Sequence, residues 1–277
     1  MNTAEASSQN WQAHLSLKLR AGAQKTSLIP VKRYGPLSVQ RAFYPEQETC
    51  HVYLLHPPGG VVGGDQLDLE VEAEESSSTL ITTPGATKFY LSAGRTAQLS
   101  QSLKVQPQAN LEFLPQENIY FPGAQVNART QIYVSENSSV MLWEKHCFGR
   151  PVIDESFSEG LVVSTLELIC EGELIFTEKQ RIDALDIQCS SGLRHAPVIG
   201  TLLVYGDGMT KVHLDALRSV TPEDGFSGVT RLTDKLLLIR YMGQSTIDVN
   251  HYFITLWQQL RPLILQRPSC IPRIWNT

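Results

Sequence analysis

The chain has 277 residues, of which 42% are hydrophobic and 18% charged, and 23 Lys and Arg against 28 Asp and Glu give a net charge of −5. That composition excludes disorder, collagen and coiled coil across the whole chain, and the acidic balance lacks the positive field that gathers nucleic acid. The five cysteines, Cys50, Cys147, Cys170, Cys189 and Cys270, are widely spaced with no C-x-x-C pair, which argues against a disulfide framework or a zinc ribbon and for a reducing cytoplasm.

Residues 1–10 are polar, lack the apolar stretch of a signal peptide and read as a flexible tail. Residues 11–277 read as a single domain. From Trp11 the hydrophobic period is two. Leu15, Leu17 and Leu19 alternate with polar residues, and Leu67, Leu69, Val71 and Ala73 alternate with Asp68, Glu70 and Glu72. The second run predicts a half-buried strand with its carboxylates on the wet face. Further short strands are predicted over 79–83, 97–105, 110–114, 130–135, 140–144, 160–170, 173–177 and 201–205, separated by turn formers such as Gln106-Pro107 and Phe121-Pro122-Gly123. This pattern specifies a mainly β core with no βαβ units.

Helices are expected mostly near the C-terminus. A short one is predicted over 213–220. Thr221-Pro222 resembles a helix start that Gly225 interrupts. The strongest helical pattern spans 246–265, where Phe253, Leu256, Trp257, Leu260 and Ile264 form one apolar stripe. Ser245 and Asp248 stand at capping-box spacing, and Arg261-Pro262 kinks or ends the helix. The longest aliphatic run, Leu236 to Ile239, is far short of the ~20 residues of a membrane span.

His56-Pro57-Pro58-Gly59-Gly60-Val61-Val62-Gly63-Gly64-Asp65 concentrates prolines and glycines. No G-K-[ST] follows, and a β pattern comes next, so it is neither a Walker loop nor a dinucleotide fingerprint. Its ordinary reading is a tight double turn; its functional reading is a backbone-lined passage with His56 and Asp65 at the ends. In the turn-rich segment after Thr83, Lys88 suits either an anion or a carboxylate partner. Glu112, flanked by Leu111 and Phe113, is expected on the solvent face of its strand. In Trp143-Glu144-Lys145-His146-Cys147, strand alternation puts Glu144 and His146 on one face and Cys147 on the other, so a three-ligand site is not expected there. No G-x-S-x-G elbow marks a nucleophile.

These motifs resemble the urease accessory protein UreD family, also called UreH. The resemblance runs through Pro57 to Asp65, then Thr83-Pro84-Gly85-Ala86-Thr87-Lys88-Phe89-Tyr90 and Leu111-Glu112-Phe113-Leu114-Pro115-Gln116-Glu117. It continues through Trp143-Glu144, Gly149-Arg150, Arg240-Tyr241-Met242-Gly243, Trp257, Arg261-Pro262 and Pro272-Arg273-Ile274-Trp275. In order, they span about residues 34–276.

The resemblance implies a helical stack of short strands, β-solenoid-like, with a few helices. It implies a non-catalytic scaffold that binds apo-urease, a helical UreF-type protein and a UreG-type GTPase, and helps deliver nickel to urease. No cofactor is then tightly bound: nickel is in transit, and GTP belongs to the partner. Neither nucleic acid nor membrane is an expected partner. A conduit needs sparse, weak oxygen or imidazole ligands, because tight ones would trap the ion. His56, Asp65, Glu112, Glu144 and His146 are the expected transit groups. Phe253, Trp257, Arg261, Arg273, Ile274 and Trp275 are the expected partner-binding residues. Two other readings remain: a β-solenoid hydrolase or lyase acting on a carbohydrate or polyanion, and a clamp that carries no nickel.

Overall fold

A computed structural model describes residues 11–276; the expected tail, 1–10, lies outside the described residues. The chain winds into stacked coils, each laying one strand in each of two facing sheets. The first sheet runs Glu173–Asp183, Leu161–Cys170, Gln125–Val134, Ala97–Val105, Gln66–Ala73, Gln12–Ala21, Thr26–Tyr34. Its five inner strands are parallel, and the two edges close antiparallel. The second sheet runs Phe226–Arg231, Leu236–Gly243, Val198–Tyr205, Ser139–Arg150, Asn110–Phe113, Ser78–Thr82, Cys50–Leu55, Ser38–Val39. A short third face pairs Thr87–Phe89 with Asn118–Tyr120 and the end of Ser139–Arg150, all parallel. This is the solenoid-like stack expected from the resemblance.

Stacking in register turns period-two alternation into continuous ladders. On the inner side of the first sheet, Leu67 pairs with Leu99, and Leu99 with Ala128. On the third face the Phe89, Tyr120 and Phe148 rings stack at centroid distances of 5.2 and 5.3 Å. Aromatic stacking adds about 0.5–1.5 kcal/mol per pair beyond burial. Of the predicted strands, 97–105 matches Ala97–Val105, whereas 130–135 covers only the second half of Gln125–Val134, and 140–144 stops short of Arg150. The strands Thr26–Tyr34, Cys50–Leu55, Phe226–Arg231 and Leu236–Gly243 were not predicted.

Among the described residues, three α-helices accompany the stack: α1 (Ala184–Gln188), α2 (Lys211–Ser219) and α3 (Thr246–Ile264). Helix α3 lies where its stripe predicted, and Ser245 caps it by accepting from the Ile247 and Asp248 amides. Asp248 does not complete the expected capping box. Its carboxylate accepts instead from the amides of Glu223 and Asp224 and from the Tyr241 hydroxyl, at 2.9–3.2 Å. No helix forms at Thr221.

Helix α3 covers the outer face of the second sheet, and this corrects two expectations. Glu112 is not on a solvent face: it is 1% exposed and sits under α3. Phe253, Trp257 and Arg261 are not at a partner surface: each is 0% exposed, inside the chain's own core. Trp257 Nε1 donates to Glu112 Oε1 at 2.6 Å, and Arg261 Nε reaches both Glu112 oxygens at 3.0 and 3.1 Å. The rest of the Arg261 guanidinium grips Glu46 at 2.7 and 2.8 Å and donates to the Pro268 carbonyl. Glu46 in turn meets His51 Nε2 at 2.6 Å. Burial pushes the Glu112 carboxyl above the usual range, against the opposing pull of Arg261 and Trp257. Burial also pushes Glu46 upward, but hydrogen bonds from His51 and Arg261 outweigh it and hold Glu46 below that range.

The C-terminal segment docks on the same face. Trp275, half-buried, donates from Nε1 to Thr82 Oγ1 at 2.9 Å and packs against Trp143 and Trp257. Of the residues expected to meet a partner, Arg273 is exposed and Ile274 half-buried.

Arg261→Met removes the cation and leaves two buried carboxylates without it. Such a loss typically costs about 3–5 kcal/mol. Urea denaturation should show a loss of that size; a loss below about 1 kcal/mol contradicts the latch.

Candidate functional site

Between the two sheets the aliphatic ladders give way to polar groups. On the first sheet Gln101 and Thr130 occupy one inner rung, and Ser164 the neighbouring one beside Ala128. Opposite them, Glu144 and His146 project inward from Ser139–Arg150. These side chains, with His56 and Asn118, line an interior cavity of about 80 Å³. Leu15, Leu69 and Phe113 supply apolar wall. The volume has room for a few waters, and the lining offers them several hydrogen-bond partners.

The polar groups are linked. Thr130 Oγ1 donates to Glu144 Oε1 at 2.6 Å and lies 3.3 Å from Gln101 Oε1. Glu144 Oε2 is 3.7 Å from His146 Nε2. On its other side His146 Nδ1 is 2.8 Å from the Tyr120 hydroxyl. Burial, with the Glu144 charge nearby, raises Tyr120 well above the ordinary phenol range, so its proton stays on. The hydroxyl both donates and accepts, so it accommodates either tautomer of the imidazole. Nε2, facing the carboxylate and the cavity, is then free to act as a base or a ligand.

His56 lines both this cavity and an outer groove. A groove of about 420 Å³ runs between the loops Pro57–Gly60 and Pro84–Lys88. Leu54, Leu55, His56, Thr83 and Thr87 border both spaces. Burial lowers the His56 pKa below the usual imidazole value, against the opposing charge of Asp65, and favours the neutral ring. Gly60 is required for the loops to meet: a Cβ there would lie 2.3 Å from the Tyr90 ring and 2.7 Å from the Lys88 carbonyl.

Of the five expected transit groups, the structure brings His56, Glu144 and His146 to one cavity and leaves Asp65 and Glu112 elsewhere. Asp65 is a loop fastener, with Oδ1 accepting from the Trp11 amide and Oδ2 from the Val62 amide, both at 3.0 Å. Glu112 faces α3, on the opposite side of its strand from Phe113. Gln101, Tyr120, Thr130 and Ser164 were not anticipated. A signal existed for three of them: each is a polar residue at the inward phase of a strand whose other inward residues are apolar.

The remaining motif residues build the frame. Trp143 Nε1 donates to the Pro115 carbonyl at 2.7 Å, and the Gln116 amide donates to Thr83 Oγ1 at 2.9 Å. Gly149, at φ +81°, lets Arg150 close a two-pronged pair with Glu155 at 2.6 Å. Lys88 is exposed on the groove wall. Cys50 and Cys147 are buried, and desolvation raises their thiols to about 11 and about 12, as suits apolar packing. Among the described residues, no group of three or more His, Cys, Asp or Glu is arranged to hold a metal ion. None of the helices described is long and apolar enough to cross a membrane.

Lys145, between Glu144 and His146, points the other way, toward α3. It is 2% exposed, with Nζ donating to Asn250 Oδ1 and lying 4.8 Å from the Trp143 ring centroid. Burial lowers its pKa to about 8, against the opposing charge of Glu117.

The family model described as "UreD urease accessory protein" matches residues 12–276. A protein of Aliivibrio fischeri named "Urease accessory protein UreD" is 41% identical, over 98% of each chain. Proteins of the same name from Klebsiella aerogenes and Alcanivorax borkumensis are 40% and 41% identical. Each alignment covers 97% of this chain, and 98% and 93% of those relatives.

The depressed Lys145 pKa sets a pH dependence. Between about 8 and the ordinary 10.5 the unfolded chain binds more protons than the folded one, so folding stability rises with pH across that window. Relative to Lys145→Met, the wild type should gain up to about 3 kcal/mol over this range in urea titrations. A difference that stays flat contradicts the buried-ammonium assignment.

Proposed function

The chain belongs to the UreD family of urease accessory proteins, and on that premise we propose that it is a non-catalytic scaffold of urease maturation that passes nickel ions through its interior. The observation that carries the nickel reading is the cavity where Glu144 and His146 face each other, with His56 between it and the outer groove. An ion entering at the groove meets the neutral His56 imidazole first. It then reaches a carboxylate and an imidazole 3.7 Å apart, a spacing one ion bridges at about 2 Å from each.

Two donors of that kind hold a divalent ion weakly, and weak holding is what transfer requires. Imidazole and carboxylate suit nickel among the borderline ions. Thr130 holds Glu144 in place through one oxygen and leaves the other toward the cavity. The Tyr120 oxygen accepts a hydrogen bond from Nδ1–H when Nε2 turns its lone pair to the ion, the outer hydrogen bond that orients a ligating histidine. Leaving Glu144 and His146 costs the ion only two contacts, which water or the next donor replaces.

The clients fit the same reading: apo-urease receives the ion, a UreF-type helical protein and a UreG-type GTPase supply it, and GTP stays with the GTPase. On this reading the chain works in the cytoplasm. Arg273 is the part of the expected partner face that stays open to solvent.

The test is the double variant Glu144→Gln, His146→Ala in cells with limiting nickel. Urease activity should fall at least about fivefold, while co-purification with the partners stays unchanged; excess nickel should restore part of the loss. Full activity at limiting nickel would favour a clamp that carries no ion.

A further inference from the structure

We propose that the open edge of Glu173–Asp183, at the end of the stack, accepts an extended acidic segment of a partner protein as a further strand of the first sheet. The two sheets end out of step. Arg240 of Leu236–Gly243 pairs with Glu178 of Glu173–Asp183, so these two strands face each other across the interior. The second sheet continues one strand further, to Phe226–Arg231, whereas the first stops. A cleft of about 530 Å³ lies at that end. Lys179, Gln180, Arg181 and Ile182 all line it. Consecutive strand residues point to opposite faces, so a space that touches all four runs along the edge of the strand. Phe226 lines the other side and is left 59% exposed.

An edge strand offers a row of backbone N–H and C=O groups to any chain that can pair with them, and proteins ordinarily blunt it. The other edges of the stack are blunted. Thr26–Tyr34 carries Pro30 and meets a register shift at Ser16 and Leu17. Ser38–Val39 is two residues long. Phe226–Arg231 has α2 packed against it, and Arg218 Nε donates to the Val229 carbonyl at 3.3 Å. Glu173–Asp183 is 11 residues long, and its register shift, opposite Leu168 and Ile169, lies at the end away from the cleft.

Charge selects the strand that fits. In a chain of net charge −5, the described residues lining the cleft include three cations, Lys179, Arg181 and Arg240, and no carboxylate. The two guanidiniums are anchored from outside the lining, Arg181 Nη1 by Asp183 at 3.1 Å and Arg240 Nη1 by Glu178. A guanidinium has five N–H donors, so each keeps some for a further acceptor. Lys179 and Arg181 share the outer face of their strand, while Ile182 turns inward, the side on which Phe226 and Met242 pair in register. A strand that alternates acidic and aliphatic residues sets its carboxylates beside Lys179 and Arg181 and its aliphatics toward Ile182, Phe226 and Met242. The same cations repel a basic strand, so the edge discriminates. The inference stands apart from nickel transit and uses none of its donors.

The experiment is a fluorescence-anisotropy titration of the full chain against a labelled peptide, acetyl-Leu-Asp-Leu-Glu-Val-Glu-amide, the alternating sequence of 67–72. Binding should saturate in the micromolar to millimolar range and weaken as salt rises. Replacing the acids of the peptide by their amides should weaken it at least about tenfold, and so should Lys179→Gln with Arg181→Gln in the chain. Both side chains are exposed, and the urea midpoint of the variant checks its fold. Strand addition also needs the peptide's own N–H groups. Two further peptides carry N-methyl groups on alternate residues, one along each edge, and at least one of them should lose about tenfold in affinity with its charge unchanged. Amide hydrogen exchange within 179–182 should slow when the parent peptide is bound. Absence of saturable binding, equal binding of the acidic and amide peptides, or full binding of both N-methylated peptides overturns the proposal. A chain that sediments as a dimer, and as a monomer once Lys179 and Arg181 are replaced, also overturns it, because a second copy then holds the edge.

Discussion

The guanidinium of Arg261, fully buried between Glu112 and Glu46, is the constraint on which the rest of the structure depends. It ties α3 to the strand Asn110–Phe113, to the segment before Cys50–Leu55, and through the Pro268 carbonyl to the C-terminal segment. The latch acts on both sides of the sheet. Glu112 points outward to α3, and its neighbour Phe113 points inward to the cavity wall. Fixing one face of the strand therefore fixes the other. Breaking a buried ion cluster by removing one member costs more than the cluster's net worth, because the partners remain charged in a dry place. The fold thus keeps the helix closed by making its opening expensive, and the cavity inherits that rigidity.

A stacked parallel sheet is well suited to a directed interior. Each coil repeats the same inward phase, so one polar residue per coil, at the same phase, builds a continuous polar patch. Gln101, Thr130 and Ser164 do this on one sheet, opposite Glu144 and His146 on the other. Backbone hydrogen bonds are used up along the ladders, so the patch is chemically defined by side chains alone. The same alternation sends Lys145 to the outer side, away from the cavity. A positive charge and the proposed nickel donors on adjacent residues thereby face opposite sides of the sheet. The Pro- and Gly-rich loops complete the arrangement by bringing the groove to His56.

Much of this was legible in residue order, and the failures have physical causes. Helix α3 was readable because Phe253, Leu256, Trp257, Leu260 and Ile264 repeat at helical spacing. What its stripe faced was not readable, because a stripe looks the same against a partner and against the chain's own sheet. Glu112 was misplaced for the matching reason. Its strand alternates like a half-exposed one, and the helix that covers its outer face lies 149 residues away at Arg261. The strands Cys50–Leu55 and Leu236–Gly243 were missed because most of their residues are buried on both faces, which removes the alternation. Glu144 and His146 were correctly assigned to one face by period two. Asp65 stood beside the motif but serves the turn, since both its oxygens are taken by backbone amides. Proximity in sequence was the weaker guide there, and strand phase the stronger.

The most direct test of the central claim is a reconstitution of apo-urease with nickel, bicarbonate, GTP and the partner proteins, comparing wild type, Ala128→Leu and no added chain. Ala128 lines the cavity, and a leucine there fills much of its roughly 80 Å³ without touching the outer surface. Bound nickel and urease activity are read together, with folding of the variant checked by its urea midpoint. Both quantities should rise with the wild type and stay near the no-chain level with the folded, partner-bound Ala128→Leu. Equal nickel loading by wild type and plugged variant would contradict passage through the interior.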